Sequence, residues 1–145
     1  GEAKQAGSWS AANPWLCRID HLIAPHSSAL RAASLRALQI TDARALPEAE
    51  LVARIRRVGA LPEAARRAFA VELRDPELST RALLALGRTL REETRAAGCA
   101  LIVNDRLDLA LLLDADGLHL GRRSIGVAEA RALLGPDRLV SVACH

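Results

Sequence analysis

Aromatic side chains are almost missing from this sequence, which has two tryptophans, one phenylalanine and no tyrosine in 145 residues. So few rings leave no stacking platform for single-stranded nucleic acid, and they argue against a β-sandwich. No stretch gathers the basic residues either. The 20 Lys and Arg are spread among 17 Asp and Glu, and the formal net charge is only +3. Such a surface reads as solvated and mildly welcoming to an anion, with no nucleic-acid footprint. Long apolar runs are absent as well: nothing approaches the roughly 20 residues that cross a bilayer. No apolar core follows Glu2 and Lys4, as a secretory leader would require. Cys17, Cys99 and Cys144 are odd in number and lack CxxC or Cys/His ligand spacing. They read as reduced thiols of a cytoplasmic protein. Neither G-x-G-x-x-G nor a P-loop occurs, which removes weight from the nucleotide-binding folds.

What is present is ordinary globular material: half of the residues are hydrophobic and 26% are charged, in a length that suits one domain. Apolar runs at 100–103, 117–120 and 139–143 each end on polar or glycine residues, and two similar runs precede them at 35–42 and 69–74. Between them lie stretches with helical spacing. Pro47, Glu48 and Glu50 open one that carries Leu51, Val52, Ile55 and Val58 and stops at Gly59. A short piece spans 62–67. Ser79 is placed to cap a longer helix that ends at Gly98, and further helices are expected over 106–113 and 127–134, the last stopped by Gly135-Pro136. Strict alternation of strand and helix predicts an α/β fold with a parallel sheet. A TIM (β/α)8-type barrel and an open doubly wound sheet both satisfy it. Since a complete barrel takes about 250 residues, a barrel here would be truncated after its fifth strand.

Residues 1–34 read differently. They hold both tryptophans, Pro14, Pro25, His21 and His26 without a sustained period, and are expected to be a poorly ordered arm or leader ahead of a domain at 35–145. The two histidines lack acidic or cysteine partners at ligand spacing, which disfavours a metal there.

Parallel strands put their C-terminal ends on one rim, where such folds carry their sites. Thr41-Asp42, Glu72-Leu73-Arg74, Asn104-Asp105, Gly121-Arg122-Arg123 and Cys144-His145 would gather on it. Arg74 can grip a phosphate or pair with Glu72 or Asp75. Asn104 and Asp105 can hold a heterocycle or a divalent ion, or Asp105 can cap the helix after it. His145 is suited to moving a proton near neutral pH. His119, between Leu118 and Leu120, reads as a wall histidine. Cys144 and His145 are not a nucleophile–base pair, because adjacent strand residues face opposite ways.

The runs L-I-V-N-D-R-L-D-L-A-L at 101–111, A-D-G-L-H-L-G at 115–121 and V-A-E-A-R-A-L-L-G-P-D-R-L-V-S-V-A-C-H at 127–145 resemble the thiamine-phosphate synthase/TenI superfamily. V-E-L-R-D and L-x-I-T-D extend the likeness over about residues 35–145. The resemblance implies a small (β/α)8 barrel, of which this chain carries the first five βα units. The synthase joins a hydroxymethylpyrimidine diphosphate to a thiazole phosphate and releases pyrophosphate with Mg²⁺. Its second-strand motif Q-x-R-x-K corresponds to Glu72, Arg74 and Pro76, and its Asn-Asp pair for pyrimidine and metal to Asn104 and Asp105. The Q-E-D that follows H-x-G, whose aspartate is a second metal ligand, corresponds to Arg122, Arg123 and Ser124. Its S-x-H corresponds to Ala143 and His145.

The TenI branch is the nearer likeness, since it does without the full metal site and its thiazole tautomerases use a histidine at the position of His145. Versions fused to Nudix hydrolases end this strand in Cys-His, as here. The resemblance therefore implies a tautomerase acting on thiazole phosphate carboxylate. His145 would be catalytic, Glu72, Arg74, Asn104, Arg122 and Arg123 would bind substrate, and no cofactor would be needed. Thiamine-phosphate synthesis is the alternative, with Mg²⁺ on Asp105. A non-catalytic degenerate barrel that binds a ligand or a partner protein is a third. The expected partners are a small phosphorylated thiazole or pyrimidine, and a second copy or a fused domain that covers open sheet edges. Nucleic acid and membrane are not expected.

Overall fold

The computed structural model describes residues 35–143. The expectations for residues 1–34, for Cys144 and for His145 lie outside the described residues. Five strands form one sheet: β1 (Ala37–Ile40), β2 (Phe69–Leu73), β3 (Ala100–Asn104), β4 (Gly117–Leu120) and β5 (Leu139–Val142). All neighbours are parallel, and the spatial order is the chain order. A doubly wound sheet reverses its order at a switch point; this one does not. Right-handed crossovers between consecutive neighbours place the described helices on the same face, which is the arrangement of a (β/α)8-type barrel, here as an arc of five strands.

The crossovers are α1 (Glu48–Gly59) with α2 (Glu63–Arg67), α3 (Thr80–Ala97), α4 (Leu107–Leu112) and α5 (Val127–Leu134). Local chemistry sets their ends. Glu48 and Glu50 lie in the first turn of α1, and Arg56 and Arg57 in its last, so both ends complement the helix dipole. The Ala82 amide donates to Ser79 Oγ at 3.2 Å, and Gly98 closes α3 in the left-handed conformation (φ 71°). Gly87 has a different purpose. A Cβ there would come within 2.5 Å of Leu113 and 2.9 Å of Leu73, so the missing side chain lets α3 lie close on β2 and the end of α4.

Alternation along the strands divides the sheet into two faces. Val71, Leu73, Leu101, Val103, Leu118 and Leu120 pack under the helices with Leu51, Ile55, Leu83, Leu90, Leu109 and Leu134, which makes the main core. The opposite face carries a smaller cluster of Ala70, Ala100, Ile102 and Leu139, joined by Leu35. Leu38 and Ile40 share that face, which no helix among the described residues covers, yet they are 48% and 45% exposed.

Cys99, just ahead of β3, is buried, and its thiol is pushed up from 9.0 to about 11, first by burial and then by the charge of Asp116. The folded form therefore keeps its proton where the unfolded chain ionises. Stability from this group is intact below pH 9 and falls as pH rises toward 11, by at most about 1.4 kcal/mol per unit. Cys99→Ala should remove that extra alkaline loss in denaturant titrations between pH 8 and pH 11; equal slopes for the two proteins would refute it.

Candidate functional site

The C-terminal edge of the sheet is held together by side chains that bond to backbone. Thr41, 3% exposed, donates its hydroxyl to the Arg74 carbonyl and accepts the Arg74 amide, both at 2.8 Å. Asp75 accepts the amides of Ala43 (2.9 Å) and Glu77 (3.1 Å). The loops after β1 and β2 are thereby clasped to each other. Because the Asp75 carboxylate is spent on these amides, it does not pair with Arg74, and neither does Glu72. The Arg74 side chain is exposed and has no hydrogen-bond or ion-pair partner among the described residues. The pairing of Arg74 with Glu72 or Asp75 is not formed.

Asn104 closes β3, half buried, opposite His119 in the register. Asp105 follows with φ 63°, a left-handed residue whose amide donates to the His119 carbonyl at 2.8 Å. It does not cap α4: Arg106 occupies that position without a side-chain cap and instead binds Asp108 (2.6 and 2.9 Å) and Thr80 (3.2 Å). This guanidinium also holds the Asp108 carboxyl below its ordinary range. Ser124 takes the place beside Asp105. Its hydroxyl donates to Asp105 Oδ1 and accepts the Gly121 amide at 2.6 Å, which folds the turn after β4. Arg122 and Arg123 stand exposed in that turn, without side-chain partners among the described residues.

A hard divalent cation wants about six oxygen ligands, and Mg²⁺ usually takes one or two from carboxylates and the others from water and phosphate. Among the described residues no group of three His, Cys, Asp or Glu could hold an ion. Asp105 offers one oxygen not already bonded to Ser124, whose turn also carries Arg122 and Arg123. These residues fit a Mg²⁺ that arrives on a diphosphate, and they do not fit one held by the protein alone.

The face opposite the described helices bears a cavity of about 400 Å³ lined by Leu38, Glu72, Ile102, His119, Leu139 and Ser141, with Leu35 to Ala37 at its margin. Glu72 lies inside β2 and is 4% exposed, so it belongs to this floor more than to the rim. His119 Nδ1 meets Ser141 Oγ at 2.9 Å across the β4–β5 register. The wall-histidine reading holds, with the addition that the wall faces an open cavity. Glu72 shares its face with Ile102, Asn104, His119 and Ser141 across the register, and Arg74 follows one residue past the end of β2.

Arg74, Asn104, Asp105, Arg122 and Arg123 thus occupy one edge, and Glu72 lies just inside it. Sequence reasoning missed Thr41 and Asp75 as clasps, and Ser141 as the partner of His119. Only Asp75 left a signal, an Asx-turn signature in R-D-P-E.

A family model described as "Thiamine monophosphate synthase" (TMP-TENI) matches residues 30–145. The chain belongs to this family. A thiamine-phosphate synthase of Moorella thermoacetica is 52% identical over 75 residues, which cover 52% of this chain and 36% of that protein. One from Roseiflexus castenholzii is 46% identical over 105 residues, 71% of this chain and 43% of that protein. A solved thiamine phosphate pyrophosphorylase from Pyrococcus furiosus superposes with a TM-score of 0.60 at 31% identity, covering 75% of this chain and 50% of that one. The chain therefore spans half or less of the length of these family members. Among the described residues no helix is long and apolar enough to cross a membrane.

Proposed function

We propose that the protein acts in thiamine biosynthesis as a thiamine-phosphate synthase, joining a pyrimidine diphosphate to a thiazole phosphate at the C-terminal edge of its sheet. The observation that carries this reading is the gathering of Arg74, Arg122 and Arg123, whose guanidiniums have no partner among the described residues, on the edge that also holds Asn104 and Asp105. Three cations on one edge suit a diphosphate, whose charge grows as its bond to the pyrimidine methylene breaks. Asn104 can hold the ring edge. Mg²⁺ bound to the diphosphate would rest on Asp105 and neutralise the departing pyrophosphate. The synthase names of relatives 46% and 52% identical to this chain support the same reading.

The second reading is a thiazole tautomerase in which His145 shifts a proton without metal. It is favoured by Ser124, which occupies with a hydroxyl the place beside Asp105 where a second carboxylate would be needed to hold an ion.

One experiment separates them. The full-length protein and its His145→Gln variant are given pyrimidine diphosphate with thiazole phosphate, and separately thiazole phosphate carboxylate, with and without Mg²⁺. Pyrophosphate release that needs Mg²⁺ is the expected result. No release, together with metal-free tautomerisation that disappears in His145→Gln, would replace the synthase by the tautomerase.

A further inference from the structure

Helices α1 and α3 touch at one end and part at the other. Near their C-termini a Cβ on Gly59 would come within 3.2 Å of Ala97 Cα, and Arg56 of α1 binds Glu93 of α3 at 2.6 and 2.9 Å. Toward their N-termini they open into a groove of about 330 Å³, floored by the buried Leu51 and Leu86 and walled by Leu46, Leu78, Ala82 and Ala85. The charged side chains that line it are Asp42 and Glu48, both exposed, on the α1 side. Arg81 and Arg88 are exposed on α3, four residues before and three residues after Ala85, and so share its side of the helix. Additional βα units would not fill this groove. They extend a sheet from its free edges, and β1 and β2 beneath the groove already pair with each other. An apolar hollow stays in contact with water unless another surface covers it.

We propose that this groove is the dock for residues 15–23 of the same chain. That segment holds Trp15, Leu16, Ile19, Leu22 and Ile23. At helical spacing these fall on one side, with Arg18 at one flank and Asp20 at the other. Arg18 complements Asp42 and Glu48 along α1, and Asp20 complements Arg81 and Arg88 along α3. The tether is long enough. Residues 24–34 join the segment to Leu35, and eleven residues reach up to about 40 Å. The groove begins beside Thr41 and Asp42, one length of β1 from that point, about 13 Å. A segment seated there lies against the loop after β1, which Asp75 ties to the end of β2 through the Ala43 amide. The docking is independent of the reaction at the sheet edge.

The test places a photoreactive benzophenone at the mouth of the groove in the full-length protein, as Ala43→p-benzoylphenylalanine, and maps its cross-links by mass spectrometry. Ala43 is exposed and bonds to Asp75 through its backbone, so the position tolerates the larger side chain. Cross-links to residues 15–23 of the same chain are expected, at a yield that does not change on dilution. Ile19→Asp puts a charge on the apolar side of the segment and should lower that yield about tenfold. The same probe at Ala128, exposed on α5, should give no cross-link to the segment. Cross-links that form only between copies, and so fade on dilution, would overturn the inference in favour of an interface between chains. Attachment only to other parts of the protein would overturn it as well. So would equal yields from Ala43 and Ala128, or an Ile19→Asp yield equal to that of the parent. The map of the parent protein decides the matter by itself if Ile19→Asp fails to fold.

Discussion

Asp116→Ala should lower the unfolding free energy by about 3 kcal/mol, the low end of what is lost when one partner of a buried ion pair is removed. Asp116 stands immediately before β4, and its side chain binds two other elements. Oδ2 accepts Arg91 Nη1 of α3 at 2.6 Å and the Leu101 amide of β3 at 2.8 Å. Its backbone binds on both sides as well, donating to the Leu101 carbonyl at 2.8 Å and accepting the Leu139 amide at 2.9 Å. The Arg91 side chain is only 10% exposed, so loss of the carboxylate leaves a guanidinium with little water to turn to. It also strips an acceptor from a buried amide, which adds its own desolvation penalty. Asp116→Asn keeps an acceptor for Leu101 and should cost about half as much. Urea unfolding of the full-length protein measures both. A cost for Asp116→Ala within about 0.5 kcal/mol of wild type, the range of an unremarkable surface change, would mean that the pair holds nothing together.

Arg74→Ala should reduce kcat/KM for coupling about 100-fold or more while leaving the fold intact. Loss of a charged hydrogen-bonding partner at a bound anion costs about 2–5 kcal/mol, which is about 30-fold to several thousandfold. Stability should hardly change, because the residue's structural contribution is made by its backbone, clasped by Thr41, while its side chain is exposed. Arg74→Lys should recover part of the loss, since a single ammonium cannot span two phosphate oxygens as a guanidinium does. Full-length protein that keeps coupling within threefold of wild type after Arg74→Ala would remove this residue from the site.

The architecture was legible in the sequence because its signals are local. Alternating apolar runs and helical periods located the five strands and five helices of the described residues to within a few positions, and Ser79 and Gly98 marked the ends of α3 with the chemistry the structure shows there. The choice between a doubly wound sheet and a barrel-type arc was open, because alternation alone does not say which strands become neighbours. The observed order β1-β2-β3-β4-β5 answered it.

The family motifs likewise marked where the edge would lie, since the end of a strand is a local event. Contacts across the edge were not legible. Whether Arg74 paired with the acid beside it depended on Asp75 reaching Ala43, 32 residues earlier in the chain. Whether Asp105 capped its own helix depended on Ser124, 19 residues later. The burial of Glu72 and the meeting of His119 with Ser141 depended on registers between strands. Sequence alone determined which residues could form strands, helices and their ends, because those preferences act within a few positions. The tertiary structure decided which polar groups neutralise one another and which remain free for a ligand, because hydrogen bonds are settled by distance in space.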